Sequence, residues 1–543
     1  MDARINTSLK NDQNGNGSSN FDLGIVVFES LKKHSNRILQ YLADTDETDT
    51  QGQVLKRSIR TAMKLKEKGI TKDDIVSSCS HNHKNSIIPF IASLFLGIKT
   101  AHFDPNLSHL ETIHLLKLIK PRIIFVDLES LPLMEKCLKE SQVNTELVVF
   151  GESEKYSNFN GYLEPSVEED KFRPVAADNV METAIILFSS GTTDLPKGIC
   201  ISHYGILGQI LKKSMKVSGN NKNNSNNNNI SLLYTALYWI SAVVMLLKGI
   251  TEGCAYVVCK QFDPAATWRV IEKYKVTSAF LVPYRAREFL AARQNVDTSS
   301  LKHMATGSAP VTKKLMDELR EALPSAAVVQ CYGQSEALGM IASFNIGDPK
   351  EMELQKIKPL SSGKVLPKYN WKIVDPVTEK VLGPNERGEF RYKIDYQMNG
   401  YYKMDSSSAY DSEGFIKSGD IAYYDEENCL FIVDRIKEVF LYKGWRIFPA
   451  VLEGILLTHP AVEEAVVIGI PHELHGYHPM GIVALNKGYE DVTPEDIELY
   501  VRQRVSDDQR LRAGVKIVGE ITKTVTGKVR RYGMKQMVLN GDI

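Results

Sequence analysis

The stretch ILFSSGTTDLPKG, residues 186–198, joins an apolar run to a turn rich in hydroxyl side chains. The run AIILF, residues 184–188, predicts a strand, and GICIS, residues 198–202, predicts a second strand after the turn. A polar loop at the end of a parallel strand lies at the edge where α/β folds bind ligands. Backbone amides, hydroxyls and an ammonium group can face phosphate oxygens there. The candidate phosphate-binding residues are Ser189, Ser190, Gly191, Thr192, Thr193 and Lys197.

This loop differs from the Walker phosphate-binding loop. Pro196 stands where that loop needs a glycine, and no Ser or Thr follows Lys197. Because a β-type run comes next, no helix dipole can cap a bound phosphate. From this segment alone, a phosphate site and a polar turn without function are equally good interpretations.

Apolar runs elsewhere in the chain alternate with helical patterns. The β-type runs are IVSSCS (75–80), TAHFD (100–104), RIIFVD (122–127), ELVVFG (146–151), AYVVC (255–259) and SAFLVP (278–283). Stretches such as NSIIPFIASLFLGI (85–98) and TWRVIEKYKV (267–276) predict helices between them. Such alternation indicates parallel sheets covered by helices, so we predict an α/β fold with several layers.

The last hundred residues predict a smaller α+β unit. The segments EEAVVIGIP (463–471) and MGIVALN (480–486) read as strands, and 492–505 as a helix with Thr493 at the cap and Pro494 in the first turn. We therefore predict a disordered leader at 1–20, an N-terminal domain at 21–433 and a C-terminal domain at 434–543.

Composition narrows the class of protein. With 543 residues the chain is too long for one ordinary core. Its 66 Lys and Arg balance 66 Asp and Glu, so no overall field recruits nucleic acid. Seven scattered cysteines without CxxC pairs argue against a disulfide framework or zinc site and for a reducing compartment. The termini show neither a signal peptide nor an S-K-L address, so we expect a cytoplasmic location by default, with a peroxisomal one as the alternative.

The uncharged stretch SLLYTALYWISAVVMLL, residues 231–247, tests whether the chain enters a membrane. It falls short of the roughly 20 residues that span a bilayer. We therefore predict a buried helix here and no stable membrane insertion. The sequence is silent on oligomeric state.

Two further clusters offer groups for a nucleotide. The segment VVQCYGQSEALGM (328–340) provides an aromatic face for a base, a hydroxyl for phosphate and a carboxylate for Mg²⁺. Its candidates are Tyr332, Gly333, Gln334, Ser335 and Glu336. In GFIKSGDIAYYD (414–425), Asp420 follows a glycine turn and could accept both hydroxyls of a ribose. Arg435 and Lys528 could add fixed positive charge, although each of these residues alone is typical of a solvated loop.

Taken together, these segments resemble the adenylate-forming superfamily, which includes acyl-CoA synthetases, coumarate:CoA ligases and beetle luciferases. The likeness runs from about residue 55 to 537 and extends to TGSAP (306–310), GYYK (400–403) and the region 446–471. The chain looks most like the luciferase-like acyl-CoA synthetases of insects. The resemblance implies a small C-terminal domain that rotates about a hinge near Asp434 between two half-reactions. In the first a carboxylate attacks the α-phosphate of ATP, and in the second a thiol attacks the acyl-adenylate.

The resemblance also implies a role for each matching residue. The loop from Ser189 to Lys197 would grip the β and γ phosphates, and Ser335 with Glu336 would handle the α-phosphate and Mg²⁺. Tyr332 would stack on adenine and Asp420 would hold the ribose. Further expected roles are Arg435 at ribose or phosphate, Lys528 between the acyl carboxylate and α-phosphate, and Gly307, Ser308 and Ala309 along the path from adenine to the acyl group.

Three positions depart from the family pattern. Asp194 replaces a loop glycine, and its carboxylate either points outward or has Mg²⁺ as its partner. Trp239, beside Tyr238, stands where many members carry histidine; it either narrows the substrate pocket or is a core residue turned away from it. Leu441 replaces a lysine of the second half-reaction, whereas Lys443 and Gly444 remain to border a pantetheine tunnel.

We expect an acid–thiol ligase that uses ATP, Mg²⁺ and CoA and activates a fatty-acid-type carboxylic acid. Apolar residues that could accommodate an aliphatic chain are Val243, Val244, Leu246 and Leu247. Two alternatives stay open. A luciferase-type monooxygenase is disfavoured by Leu441, and a catalytically impaired paralogue that binds nucleotide or acid is suggested by Asp194 and Trp239.

Overall fold

A computed structural model describes residues 22–189, 195–211, 229–523 and 528–543. Two large sheets form the centre of the N-terminal part, as the alternating runs predict. In spatial order, the nine-stranded sheet contains Lys364–Val365, Gly339–Ser343, Ala327–Gln334, His303–Gly307, Ser278–Leu281, Ile230–Leu233, Ala255–Val258, Ile38–Leu42 and Thr48–Thr50. The eight-stranded sheet contains Gly400–Tyr401, Gly198–Ser202, Thr183–Phe188, Lys99–Phe103, Ile75–Cys79, Ile123–Asp127, Glu146–Phe150 and Ser157–Asn158.

Two smaller sheets contain the remaining strands of the described residues. An antiparallel four-stranded sheet contains Asn370–Val374, Gly388–Lys393, Ile416–Tyr424 and Leu430–Arg435. The C-terminal sheet contains Trp445–Ile447, Phe440–Tyr442, Gly476–Leu485 and Val462–His472, with Val515–Ile517 added beside Gly476–Leu485.

Helices cover both large sheets and the C-terminal sheet. The α-helices are Leu23–Lys33, Gln51–Glu67, Ile88–Phe95, His109–Ile119, Leu131–Ser141, His203–Leu211, Ile240–Glu252, Pro264–Lys273, Pro283–Ala291, Lys313–Ala322, Pro349–Ile357, Pro449–Leu456, Pro494–Arg502 and Arg531–Asn540. Short 3₁₀ helices are Phe159–Tyr162, Glu169–Lys171, Ser407–Ala409, Ile436–Glu438 and Asp507–Gln509.

The apolar runs become the central parallel strands because both of their faces are buried. All five residues of Ile75–Cys79 and of Ile123–Asp127 are buried. In each large sheet six adjacent strands are parallel, and antiparallel strands are confined to the ends. The carboxyl ends of each parallel set therefore meet at one edge, which is where α/β folds bind ligands. The predicted α/β fold is confirmed.

The C-terminal part has its own sheet and core. Its two long strands pair over almost their whole length, and Thr493 caps the helix Pro494–Arg502 by accepting a hydrogen bond from the Asp496 N–H, as predicted. The core residues Leu452, Val467 and Ile497 are fully buried or nearly so. The expected boundary between residues 433 and 434 falls inside Leu430–Arg435, and the separate sheet begins at Phe440.

The uncharged stretch 231–247 divides into two elements. Residues up to Leu233 belong to the strand Ile230–Leu233, and the helix Ile240–Glu252 follows. Among the helices in the described ranges, none combines the length and apolarity needed to cross a membrane. Cysteines form no disulfide in these ranges; six are buried and Cys331 is half-buried.

Candidate active site

Ser189 and Lys197 close the base of the hydroxyl-rich loop. The Ser189 N–H donates to the Lys197 carbonyl over 2.9 Å, and the Lys197 N–H donates to Ser189 Oγ over 2.9 Å. The strands that enter and leave the loop pair antiparallel, from Phe188 opposite Gly198 onward. Five members of the loop, Ser190, Gly191, Thr192, Thr193 and Asp194, lie outside the described residues.

Tyr401 connects this loop to the second cluster. Lys197 Nζ lies 5.2 Å from the centre of the Tyr401 ring, and the Tyr401 hydroxyl donates to Glu336 Oε1 over 3.4 Å. Tyr401 is held there because Gly400–Tyr401 pairs with the strand that follows the loop. Tyr401 was not among the site residues predicted from the sequence, where its position in the GYYK motif was the only signal. The structure thus brings Lys197 and Glu336 to the same side chain.

Asp420 is the centre of a hydrogen-bonded cluster. This carboxylate is 3% exposed. Its Oδ2 accepts from the Tyr332 hydroxyl over 2.6 Å and from Gln334 Nε2 over 2.8 Å. Its Oδ1 pairs with Arg435 Nε over 2.8 Å. A carboxylate has about four acceptor positions. These contacts of the described residues fill two on Oδ2 and one on Oδ1, which leaves one position on Oδ1 for a further donor.

Lys528 approaches this cluster from the C-terminal domain. Burial, followed by the charge of Arg435, lowers the pKa of Lys528 to about 8. The carboxylates of Asp420 and Glu336 act on it in the opposite direction. Burial raises the pKa of Glu336, while Arg435 and Lys528 counter that shift. Two cations and two carboxylates, from positions as far apart as 336 and 528, therefore interact in one partly buried site.

The turn after the strand Ala327–Gln334 presents Ser335 and Glu336 by means of glycine. A Cβ at Gly333 would lie 2.3 Å from the Gly339 carbonyl oxygen, so only glycine allows the returning strand to approach this closely. The Leu338 N–H donates to the Ser335 carbonyl over 2.9 Å and closes the turn. Ser335 is half-buried, as is Glu336 beside it in the chain.

Gly307, Ser308 and Ala309 end the strand next to Ala327–Gln334. Gly307 lies opposite Cys331, and a Cβ on it would be 2.4 Å from the Cys331 carbonyl oxygen. Ser308 has a φ of 69°, so the chain turns sharply at this point. The three residues are therefore adjacent to Tyr332 along the same sheet edge.

Arg531, three residues after Lys528, anchors the segment that contains both residues. It pairs with Glu438 over 2.7 Å and with Glu453, and its Nη1 donates to the Val467 carbonyl over 2.6 Å. Its charge also acts on Asp434, the expected hinge residue, whose pKa burial raises to about 6. Arg531 was not among the residues predicted from the sequence, where the adjacent basic residues of KVRR were its only signal.

Lys443 and Gly444 form the turn of a hairpin in the C-terminal domain. Their φ values of 49° and 84° are those of a two-residue turn between paired strands, here Phe440–Tyr442 and Trp445–Ile447. The Lys443 N–H donates to the His475 carbonyl over 2.9 Å. This hydrogen bond thus joins the turn to another turn of the C-terminal domain. Leu441 is 49% exposed on the same hairpin.

Tyr238 and Trp239 line a cavity. The other lining residues are Asp104, Asn106, Tyr234, Thr235, Phe280, Leu281, Val282, Tyr284 and Arg285. Burial raises the pKa of both Asp104 and Tyr238. Trp239 precedes the helix Ile240–Glu252, lines the cavity and is not a member of the main hydrophobic core. Of the two interpretations of Trp239, the structure favours the one in which it narrows a pocket.

The apolar residues expected to accommodate an aliphatic chain do not line this cavity. Val243, Leu246 and Leu247 are buried in the main core, and Val244 is absent from the lining as well. They lie on the helix that Trp239 begins, and the hydrophobic face of that helix packs inward. Helical periodicity identified a buried face but not what that face packs against, so the role of these four residues stays a prediction.

The cavity and the Asp420 cluster lie along one sheet edge. Tyr332 is near the end of Ala327–Gln334, Gly307 ends the neighbouring strand, and the lining residues Leu281 and Val282 end the strand after that. Adjacent strands are about 4.8 Å apart, so the cavity lies roughly 10 Å from Tyr332. A ligand with two parts, one at each location, fits this arrangement.

Comparison with known proteins gives a consistent family. The family model for the AMP-binding enzyme matches residues 27–402, and the model for the AMP-binding enzyme C-terminal domain matches residues 451–528. The chain is 31% identical over 540 residues to luciferin 4-monooxygenase of Photuris pensylvanica, covering 95% of each chain. It is 29% identical over 527 residues to 4-coumarate–CoA ligase 1 of Petroselinum crispum, covering 96% of this chain and 95% of the relative.

A solved structure agrees with these relatives. The luciferase-like enzyme from the nonluminescent mealworm Zophobas morio superposes with a TM-score of 0.72 at 37% identity, over 78% of this chain and 97% of that one. The two family models include Ser189, Lys197, Tyr332, Glu336, Tyr401 and Lys528 of the candidate site, whereas Asp420 and Arg435 lie between the two matched ranges. The chain therefore belongs to the AMP-binding enzyme family, whose members form adenylates.

Proposed function

We propose that this protein is an ATP- and Mg²⁺-dependent acid–CoA ligase that activates a fatty-acid-type carboxylic acid through an acyl-AMP intermediate. The observation that carries the proposal is the convergence of Lys528, from the far end of the chain, on Asp420 and Glu336. Formation of an acyl-adenylate develops negative charge on phosphoryl oxygens, and positioned cations stabilise that charge. Lys197 and Arg435 supply two further cations at the same site.

The described residues fit the nucleotide and the metal. The remaining acceptor position on Asp420 suits a ribose hydroxyl, and the buried Glu336 carboxylate suits a hard cation. Glu336, whose pKa burial raises, would be the ligand of Mg²⁺, which when bound neutralises phosphate charge. Ser335 would contact the α-phosphate, and Ser189 with Lys197 would hold the outer phosphates. Lys443 and Gly444 would border the route for the thiol of CoA.

We further propose that the cavity beside Trp239 binds the acid. Phe280, Leu281 and Val282 provide apolar lining for a hydrocarbon chain. The same cavity also contains Asp104, Asn106 and Arg285, which favour an acid with a hydrogen-bonding group. A hydroxylated aromatic acid is therefore the second candidate substrate, in keeping with the 4-coumarate–CoA ligase relative.

Pyrophosphate release by the purified protein, measured over a panel of acids with and without CoA, tests the proposal. We expect release with fatty acids that becomes catalytic on addition of CoA, together with thioester formation. Binding of ATP without pyrophosphate release for any acid would instead identify a non-catalytic binder. Light emission with luciferin and ATP would identify a monooxygenase, an outcome that Leu441 disfavours.

Alkaline pH is expected to slow adenylation. The ammonium form of Lys528 is the active one, and its pKa of about 8 means that the charge is lost as pH rises through that value. Since kcat/KM reports ionisations of the free enzyme, it should fall about tenfold per pH unit above pH 8. A Lys528→Arg variant keeps its charge at these pH values and should lose this decline. A flat profile from pH 7 to 9.5 in the unmodified protein would contradict the assignment.

Replacing Trp239 with alanine is expected to change which acids react. Removing the indole enlarges the cavity. Bulkier acids should then gain apolar contact with the protein, and slender acids should lose it. One methylene in a hydrophobic pocket is worth about 1–3 kcal/mol, and the preference should shift by about tenfold or more. The exposed Trp445 provides the matched control, because Trp445→Ala leaves the cavity intact. If the ranking of acids were unchanged in Trp239→Ala, the cavity would not be the site that binds the acid.

A further inference from the structure

Three histidines lie together at the tip of the long C-terminal hairpin. His472 ends one strand and pairs with Gly476, which begins the other strand. His478 is two residues beyond Gly476, so it shares a face of the hairpin with His472. His475 comes from the connecting turn. The segment HELHGYH, residues 472–478, therefore places three imidazoles at one point, outside the site described above.

The ring nitrogens are close enough to share one ion. One ligand atom from each histidine lies within 4.8 Å of the others. His475 Nδ1 and His478 Nε2 are 2.8 Å apart, and the rings of His472 and His478 stack with centres 3.9 Å apart. In a tetrahedral zinc site with Zn–N of about 2.0–2.1 Å, ligand nitrogens are roughly 3.3 Å apart. Rotation of half-exposed rings at a hairpin tip can supply the remaining movement.

We propose that His472, His475 and His478 bind a divalent transition-metal ion, with zinc as the reference ion. Imidazole is a preferred ligand of zinc, copper and nickel, whereas Mg²⁺ prefers oxygen. Three histidines leave the fourth position of a tetrahedral ion to water. Because all three side chains are only partly buried, the ion reaches the site directly from solvent.

The surrounding charges moderate the affinity without excluding a cation. Arg512 lies near the cluster, with its guanidinium 5.3 Å from the centre of the Tyr442 ring, but Asp507 pairs with it over 2.5 Å. Lys443 Nζ lies 5.5 Å from the same ring centre. Imidazole binds metal in its neutral form.

A bound ion would couple two hairpins of the C-terminal domain. The His475 carbonyl accepts the Lys443 N–H, and Tyr442 pairs with Gly476. The metal would thereby fix the histidine turn against the turn formed by Lys443 and Gly444. This inference concerns metal binding alone and stands apart from the proposed ligase activity. Cysteine spacing, on which the sequence analysis judged metal sites, gives no sign of a site made of histidines.

Titration calorimetry of the full chain with zinc chloride, in the absence of nucleotide, tests the site. We expect one equivalent to bind and excess Mg²⁺ not to displace it. The double variant His475→Asn and His478→Asn should lose at least about 100-fold in affinity, since even the loss of a supporting contact costs about 10–100-fold. His459→Asn, in the same domain but outside the cluster, is the matched control and should bind zinc normally.

A second measurement needs no variant. Zinc should protect these three histidines from carbethoxylation by diethyl pyrocarbonate, read by peptide mass spectrometry, while His459 reacts equally with and without the metal. Absence of zinc binding would overturn the proposal. Zinc binding that leaves the three histidines unprotected, or that the double variant retains, would place the ion elsewhere and overturn it as well.

Discussion

Replacing Lys528 with alanine is expected to slow acyl-adenylate formation by about 10²–10³-fold, the effect of removing one donor from developing negative charge. The ammonium lies in a partly buried site with Asp420 and Glu336. In the variant a water molecule can fill the space but cannot replace the positive charge. Single-turnover pyrophosphate release measures this step. Thioester formation from a supplied acyl-adenylate should fall less than about fivefold, because that step no longer needs the ammonium beside the α-phosphate.

Lys523→Ala is the matched control for this variant. Lys523 lies five residues earlier in the same domain and pairs with Glu464. A partly exposed ion pair of this kind contributes about 0–1 kcal/mol, so both half-reactions should be nearly unchanged. Stability provides a further check. The pKa of Lys528 is lowered to about 8 in the folded protein, which means that the charged side chain is less favourable there than in the unfolded chain. At pH 7 this charge therefore does not stabilise the fold, and Lys528→Ala should not lower the unfolding temperature. An equal loss in both half-reactions would contradict the assigned role.

The sequence predicted the parallel strands well and the antiparallel sheet poorly. Ile75–Cys79 and Ile123–Asp127 are buried on both faces, so burial appears in the sequence as an unbroken apolar run. The four-stranded sheet has strands such as Asn370–Val374, with an exposed first residue and buried last ones. Short strands with one exposed face leave no such run. That sheet nevertheless provides Asp420 and Arg435, which pair across adjacent strands.

Motif positions predicted which residues meet at the site, but not how they are held. The sequence indicated Asp420, Gln334 and Tyr332 as separate ligand groups. The structure joins them through one carboxylate, by side-chain hydrogen bonds between two different sheets and between residues 86 to 88 apart in sequence. The orientation of Trp239 was likewise open, because a single aromatic residue before a helix can face either the core or a cavity. Pairing and side-chain direction arise from tertiary packing, which a single sequence does not encode locally.

Replacing Glu336 with glutamine is expected to reduce adenylation by about 10²–10³-fold and to raise the Mg²⁺ concentration for half-maximal activity at least tenfold. Mg²⁺ is usually bound by one or two carboxylates together with substrate phosphates, so the loss of one carboxylate removes a large share of the protein ligands. Glutamine keeps the shape and the acceptor oxygen for Tyr401, so the fold should be preserved. Initial rates across a magnesium titration, with thermal unfolding of the same samples, measure both effects.

Glu389→Gln is the control for this variant. We expect it to change stability and to leave the magnesium dependence unchanged. Glu389 is a buried carboxylate in the neighbouring sheet that pairs with Arg391 over 2.8 Å. Arg391 keeps its ion pairs with Glu379 and Asp411, so the loss of the Glu389 charge should cost about 1–3 kcal/mol of stability while the magnesium dependence stays normal. The two variants remove the same charge from buried positions and differ in whether that charge faces the nucleotide site. If Glu336→Gln lowered stability and left the magnesium titration unchanged, as expected for Glu389→Gln, then Glu336 would be a structural carboxylate and the metal would have to be bound elsewhere.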